Sequence, residues 1–324
     1  MKRKSRGEDL LRGLCLAAIA AGILLRFLRL GQSLWFDEAI TVRDAALPLA
    51  AIPGNLARVS AAASPPLFYF LLHAWLALAP AGEAALRLLP AVFGALGVLA
   101  VWAAGERWLG RAAGLSAAAV LALHPFHIAY SQELRPYALL VLLSIVSFHF
   151  FLAAQERGRP KDWACFAAAT LANLYTQYYA GFLFAAQAAW LGPRVRGAQR
   201  RRLAACAGAV LAGFAPWLPG LWRQTHKHVY ALLRPADLSE ALNTLYHLFG
   251  VKVSAATWAT YGWRAAAPAL LALQLAVWAW ALARARGKER EPARMLLGLA
   301  AITLAIPFAL SLRSPIYMGG RYAI

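Results

Sequence analysis

Several long stretches of this sequence carry almost no charged side chain, and this feature constrains the fold most. A helix needs about 20 consecutive apolar residues to cross a bilayer. The 324 residues are 61% hydrophobic and 15% charged, whereas a water-soluble domain has roughly 25% charged residues. The long apolar windows are residues 11–30, 86–104, 112–130, 137–154, 163–191, 203–222, 265–283 and 295–312. Because the window 163–191 is long enough for two short spans that turn around 176–181, we predict an all-α, polytopic membrane protein with about nine spans.

One shorter apolar segment, residues 65–80, decides the predicted topology. Bounded by prolines and carrying His73, it is short for a span and predicts a re-entrant or membrane-lying helix. If it does not cross, most of the Lys and Arg residues fall in the N-terminus and in loops that share one side of the membrane. Cytoplasmic loops of membrane proteins are rich in Lys and Arg, so we assign that side to the cytoplasm. Crossing would instead put the strongly basic stretches 194–202 and 284–294 outside.

The remaining loops then face the extracytoplasmic side. These are a first outer loop over 31–85, the stretch 124–137, an outer loop over 223–264 and the tail 314–322. Arg far outnumbers Lys, which is typical of a GC-rich bacterial genome, so we expect a bacterial plasma membrane. The net charge of +19 reflects the basic inner loops, and we predict no nucleic-acid partner.

Two adjacent carboxylates, Asp37 and Glu38, follow the first apolar window in the stretch WFDEA. Aromatic residues beside them favour a place at the membrane boundary. A carboxylate that is partly removed from water can act as a general base or hold a metal, although a helix cap explains an acidic pair equally well.

A second polar motif, SQELRPY, lies between two windows and contains Glu133 and Arg135. An Arg there can hold a phosphate and a Glu can orient a hydroxyl, while an internal ion pair is the structural alternative. His124 and His127 lie one helical turn apart just upstream. In the absence of a third evident ligand we expect them to cap or pack and not to bind a metal.

In their order and spacing these motifs resemble the GT-C-type glycosyltransferases of family 39, which include protein O-mannosyltransferases and aminoarabinose transferases. The resemblance rests on LWFDEA, SPPLFYFLLHAWL, GEAALRLLPAVFGALGVLAVW, HPFHIAYSQELRPYALL, NLYTQYYAGF, APWLPGL and a final P…GGRY. It implies a single glycosyltransferase module over residues 1–324. Family members generally continue beyond the RY motif, so we expect the chain to be truncated at its C-terminus.

The resemblance also implies the site. It assigns Asp37, supported by Glu38, as catalytic residues; the substrate-binding residues would be Glu133, Arg135, Tyr137, Arg321 and Tyr322. The second motif is often an acidic pair in the superfamily, and here it contains an Arg, which cannot ligate a cation. We assign no metal ligand, and whether a divalent metal takes part stays open.

The predicted reaction is transfer of a hexose or pentose from a polyprenyl-phosphate donor to a hydroxyl of a lipid, glycan or protein, with inversion at the anomeric carbon. Membrane lipids are the other expected partners. Two alternatives stay open: a flippase or transporter of lipid-linked sugars, and a catalytically inactive truncated homologue. The first is disfavoured because the midplanes of the windows hold few ionisable residues, with His149 as the main exception.

Overall fold

The computed structural model describes residues 2–60, 64–79, 82–225 and 290–311, and within these ranges every regular element is helical. In chain order the helices are α1 (Lys2–Leu25), α2 (Phe36–Ala45), α3 (Ile52–Arg58), α4 (Leu67–Leu76), α5 (Glu83–Leu109), α6 (Arg111–Leu123), α7 (Pro125–Ser131), α8 (Tyr137–Arg157), α9 (Pro160–Leu174), α10 (Ala180–Leu191), α11 (Gly197–Phe214), α12 (Leu218–Thr225) and α13 (Arg290–Ser311). A short 3₁₀ turn, Ala215–Trp217, joins α11 to α12.

The chain divides into two compact units. The first contains the described residues up to Gly181 together with those of 191–225, and it holds all the motifs discussed below. The second contains residues 182–190 of α10 and the described residues of α13. Within this second unit, Gly298 of α13 lies against the ring of Trp190.

Three helical stretches of the described residues are long and apolar enough to cross a membrane: α5, α8 and the continuous stretch Gly197–Thr225. The bent pair α6 and α7 is a fourth candidate. These elements match four of the predicted windows, and a membrane protein is confirmed, but the expectation of about nine spans is not. The window 163–191 breaks where predicted, into α9 and α10, while the window 265–283 lies outside the described residues.

The first window, 11–30, is not among the candidate spans of the described chain. Charged side chains occupy the first half of α1, and the helix ends at Leu25. Residues 26–30 form turns, and Arg26 within them is completely buried. The predicted uniform span is therefore interrupted by a charged residue that the protein encloses.

The Pro-bounded segment 65–80 forms α4, which has only 10 residues. A helix of that length rises about 15 Å, half the thickness of a hydrocarbon core. It cannot cross by itself, which agrees with the prediction of a non-crossing helix.

Hydrogen bonds place the predicted inner loops together at one end of the first unit. Arg107 at the end of α5 pairs with Glu156 at the end of α8, at 2.7 Å. Arg157 pairs with Asp162 at 2.8 Å, and Arg202 of α11 donates to the carbonyl of Gly158. The α2 segment and the loop 132–136 lie at the opposite end of α5 and α8.

A bend of 64° separates α6 from α7, and its cause is Pro125. The carbonyl of Leu121 would accept the N–H of residue 125 in a continuous helix, but proline has none. The guanidinium of Arg26 donates instead to the carbonyls of Leu121, at 3.0 Å, and Ala122, at 2.8 Å. A buried arginine thus satisfies the backbone groups that the break exposes.

The helices α5 and α6 approach each other closely where they are joined. A Cβ atom on Gly114 would lie 2.2 Å from the backbone nitrogen of Glu106, and one on Gly105 would lie 2.6 Å from the Cα of Gly114. Backbone cannot yield as a flexible side chain can, so the contact requires glycine at both positions.

We expect Gly114→Ala to lower the free energy of unfolding by about 1–3 kcal/mol, because overpacking a close contact displaces backbone. The matched control is Gly208→Ala in α11, where an added Cβ meets nothing within 4 Å. The control substitution should leave the free energy of unfolding unchanged or raise it slightly, because alanine favours the helix more than glycine does. Thermal unfolding of both variants in detergent tests this, and equal melting temperatures would contradict the proposed contact.

Candidate active site

The helix α2 begins with the acidic pair, and its first turn explains why both carboxylates lie there. Asp37 and Glu38 occupy the N-terminal turn, where negative charge complements the helix dipole. The Glu38 carboxylate also accepts the backbone N–H of Trp35 at 3.2 Å, which caps a donor that the helix leaves unsatisfied.

Glu38 forms a buried ion pair with Arg87 of α5. The guanidinium reaches both carboxylate oxygens, with Nε 2.9 Å from Oε1 and Nη2 2.5 Å from Oε2. The Glu38 side chain is only 1% exposed and the Arg87 side chain only 6%. Arg87 donates further to the carbonyls of Leu30, at 2.7 Å, of Ser33, at 3.1 Å, and of Gln32. The pair therefore fixes the chain that enters α2 against α5.

Glu38 also joins the two motifs that the sequence singled out. Its Oε1 accepts the backbone N–H of Leu134 at 2.8 Å, in the centre of SQELRPY. The motifs WFDEA and SQELRPY, which the charge pattern assigns to the same side of the membrane, are thus in direct contact. Both oxygens of Glu38 are engaged by protein donors, which makes this carboxylate an anchor.

Arg135 lies beside α2 and is buried, with 9% of its surface exposed. It donates to the hydroxyl of Thr41 at 3.0 Å and is hydrogen-bonded to Tyr137. Burial by itself lowers the pKa of Arg135, but neighbouring Tyr69, Tyr137 and Asp37 raise it, and the net direction is upward. Arg135 is a permanent cation, and within the described residues its Nε–H has no hydrogen-bond partner.

Asp37 and Arg135 are connected through Thr41. The Thr41 hydroxyl donates to the backbone carbonyl of Asp37 at 2.7 Å while it accepts from Arg135. Asp37 is half-buried, and its carboxylate is one of the charges that act on Arg135. The site therefore combines a partly exposed acid with a buried cation.

Sequence reasoning missed a buried extension of this cluster. Asp44, two turns along α2 from Asp37, is completely buried; it pairs with Arg43 at 2.7 Å and accepts the hydroxyl of Ser60. Tyr69 of α4 is also completely buried beside it. Burial raises the pKa of Tyr69, Asp44 adds to the rise, and Arg135 opposes it. The spacing of Asp37, Thr41 and Asp44 on one helical face was the signal that could have revealed it.

The other predicted residues have separate positions. Glu133 is half-buried, and its backbone carbonyl accepts the N–H of Arg135 at 2.7 Å. Tyr137 is 3% exposed, and its ring meets that of Tyr130 edge to face at 4.7 Å. Arg321 and Tyr322 lie outside the described residues.

The histidines of the second motif behave as packing groups. His127 is 3% exposed, and its Nδ1 accepts from Arg26 at 2.6 Å. In the part of the chain that the structure describes, no group of three or more His, Cys, Asp or Glu side chains could hold a metal ion.

A separate polar network comes from the motifs later in the chain. Gln224 of α12 is completely buried; its amide donates to the carbonyls of Leu56, at 3.0 Å, and Ser64, at 3.3 Å, and accepts the Tyr178 hydroxyl at 2.5 Å. Trp217 donates to the same hydroxyl at 2.8 Å. The segments SPPLFYF, NLYTQYYAGF and APWLPGL thereby meet in one polar network.

A comparison with protein families gives one match over part of the chain. Residues 63–220 match the family of dolichyl-phosphate-mannose-protein mannosyltransferases. This family lies in the GT-C glycosyltransferase clan, so the resemblance drawn from the motifs is confirmed. A search of curated proteins found no significant match.

The mannosyltransferase-family region contains Arg87, Arg135 and Tyr69, whereas Asp37 and Glu38 precede it. The contacts of Glu38 with Arg87 and Leu134 link the acidic pair to the matched region. The family match and the apolar helices support a membrane glycosyltransferase of mannosyltransferase-like type.

We expect Glu38→Gln to lower the free energy of unfolding by about 3–5 kcal/mol, because it leaves Arg87 as a buried charge without its ionised partner. The matched control is Glu156→Gln, whose pair with Arg107 is about half exposed on both sides. Exposed pairs contribute about 0–1 kcal/mol. Chemical or thermal unfolding in detergent compares them, and a loss for Glu38→Gln no greater than that of the control would contradict the anchoring role.

Proposed function

We propose that the chain transfers a sugar from a polyprenyl-phosphate donor to a hydroxyl group of a lipid, glycan or protein at the extracytoplasmic membrane surface. The observation that supports this is the place of half-buried Asp37 beside buried Arg135: the Thr41 hydroxyl accepts from Arg135 and donates to the backbone carbonyl of Asp37, and Arg135 lies in the region that matches the mannosyltransferase family. The donor class and acceptor class come from the family resemblance.

The proposed chemistry assigns one step to each of the two charges. The acceptor oxygen attacks the anomeric carbon while the bond from that carbon to the phosphate oxygen breaks, and the phosphate leaves with the bonding electrons. Asp37 receives the acceptor's proton as general base. Arg135 stabilises the negative charge that develops on the departing phosphate.

The proton transfer itself strengthens this arrangement. Before reaction the negative charge of Asp37 is one of the influences that favour the charged form of Arg135. When Asp37 takes the proton it becomes neutral, and Arg135 loses part of its compensation as the phosphate gains negative charge. The cation thus interacts most strongly with the phosphate in the transition state, which is what catalysis requires.

Glu38 has a different role in this proposal, that of a positioning residue. Its oxygens hold Arg87 and the N–H groups of Trp35 and Leu134. It therefore fixes the start of α2, which carries the base, relative to the loop that carries Arg135. Glu133, Tyr137, Arg321 and Tyr322 stay proposed substrate contacts.

The transport alternative gains one observation, because a broken helix beside a buried charge is typical of transporters. Here, however, the carbonyls that the break frees accept from Arg26. The break therefore retains less capacity for a transported ligand, and glycosyl transfer is the proposal we keep.

We expect Asp37→Asn to reduce sugar transfer by at least about 10²-fold, as removal of a general base does. Membranes containing the full chain would receive radiolabelled polyprenyl-phosphate mannose or a pentose analogue, and loss of label from the donor would be measured. Asp9→Asn, an exposed acid in α1, is the matched control. An Asp37→Asn chain with wild-type transfer would refute the assignment.

We also expect the product to have the anomeric configuration opposite to that of the donor, since a direct displacement inverts the carbon. Nuclear magnetic resonance of the isolated product measures this through the one-bond carbon–hydrogen coupling at the anomeric position. Retention would exclude the single-step mechanism. Translocation of a fluorescent lipid-linked sugar without any transfer would support the transport alternative instead.

A further inference from the structure

We propose that Arg26 is a positioning residue: by fixing the break between α6 and α7, it fixes the loop 132–136 and the place of Arg135. This inference rests on one part of the proposed function, which is that Arg135 binds the phosphate of the donor. Arg26 itself touches no substrate in this proposal.

Arg26 holds three segments at once. One nitrogen, Nη1, donates to the carbonyl of Gly22 at 2.5 Å and to that of Ala122 at 2.8 Å. The other, Nη2, donates to the carbonyl of Leu121 at 3.0 Å and to Nδ1 of His127 at 2.6 Å. The end of α1, the end of α6 and the middle of α7 are therefore bound to one planar guanidinium. The ammonium of a lysine has fewer donors and no fork, and it cannot reproduce these contacts.

A contact with α5 also restricts the orientation of α7. Ser131, at the end of α7, faces Gly94 of α5. A Cβ atom on Gly94 would lie 2.1 Å from the Ser131 hydroxyl oxygen. That hydroxyl donates to the carbonyl of His127 at 2.6 Å. The orientation of α7 is thus set by Arg26 at one point and by α5 at another.

The loop after α7 has a second attachment to the same end of α1. The side-chain amide of Gln132 donates to the carbonyls of Leu25, at 2.7 Å, and Leu28, at 2.9 Å. These carbonyls flank Arg26 in the sequence. Arg26 and Gln132 therefore bind α7 and the following loop to one turn of chain.

Arg135 is close enough to this attachment to be moved by it. Helix α7 ends at Ser131, and α8 begins at Tyr137. A change in the bend must be taken up within the short loop between them, which contains Arg135 and the N–H of Leu134 that Glu38 accepts. Loosening Arg26 should therefore displace Arg135 from Thr41.

The test is a double-mutant cycle read by ligand binding. The full chain in lipid nanodiscs would be titrated with polyprenyl phosphate, a probe without sugar, and binding would be followed by intrinsic tryptophan fluorescence. We expect Arg26→Lys to weaken binding about tenfold and Arg135→Ala to weaken it at least as much. Because Arg26 acts through Arg135, the double variant should bind no more weakly than Arg135→Ala, to within about twofold.

A merely structural role gives a different result, because losses at independent sites multiply. Multiplying losses, or an Arg26→Lys chain that binds like the wild type, would overturn the inference. Arg29→Lys is the matched control, since Arg29 is exposed three residues further on, and it should leave binding unchanged.

A substitute variant and the binding of the wild-type chain distinguish the remaining outcomes. If Arg26→Lys does not insert or fold, Gln132→Ala takes its place in the cycle, since it weakens the same attachment from a half-buried position. Wild-type binding of polyprenyl phosphate with no transfer of any sugar would refute the proposed function and leave this inference standing. Absence of binding by the wild type would refute both.

Discussion

The ion pair between Glu38 and Arg87 is the interaction on which the candidate site depends. A buried pair stabilises only when its geometry is good and its remaining hydrogen-bonding groups are satisfied. Both conditions hold, because Arg87 donates to three backbone carbonyls besides the carboxylate, and Glu38 accepts two backbone N–H groups. The pair thereby joins three segments far apart in sequence: the entry to α2, the start of α5 and the loop 132–136. Asp37 and Arg135 have their places because Glu38 does.

The same physical solution recurs at Arg26. Arg26 and Arg87 are both buried, and both bind backbone carbonyls of turns, loops or helix ends. A guanidinium suits this task since it offers five donors in a fixed plane and stays charged. Water cannot satisfy polar groups inside a bilayer, so irregular backbone at that depth needs protein partners. These arginines allow turns and a broken helix where membrane proteins otherwise require continuous helix.

The sequence predicted the helical membrane class, the break within 163–191 and the non-crossing α4, because each follows from local hydropathy and proline position. It also predicted that Asp37 and Arg135 would face the same end, since charged loops divide between the two sides of a membrane. It assigned no role to Arg26, which lies in the first apolar window, or to Arg87, which lies in the segment GEAALRLLPAVFGALGVLAVW. The side chain that pairs with such a buried arginine lies far away in the sequence. Arg87 and Glu38 are 49 positions apart, and Arg26 and His127 are 101 apart. Periodicity carries no information about such pairs.

Adjacent carboxylates in one helical turn can have opposite functions because consecutive helical positions point in different directions. Glu38 points into the protein, is 1% exposed and has both oxygens engaged. An acid in that state cannot accept a proton without losing its pair with Arg87. Asp37 is half-buried, and Thr41 connects its backbone carbonyl to Arg135. Because of this difference in exposure we propose Asp37 as the base and Glu38 as its support.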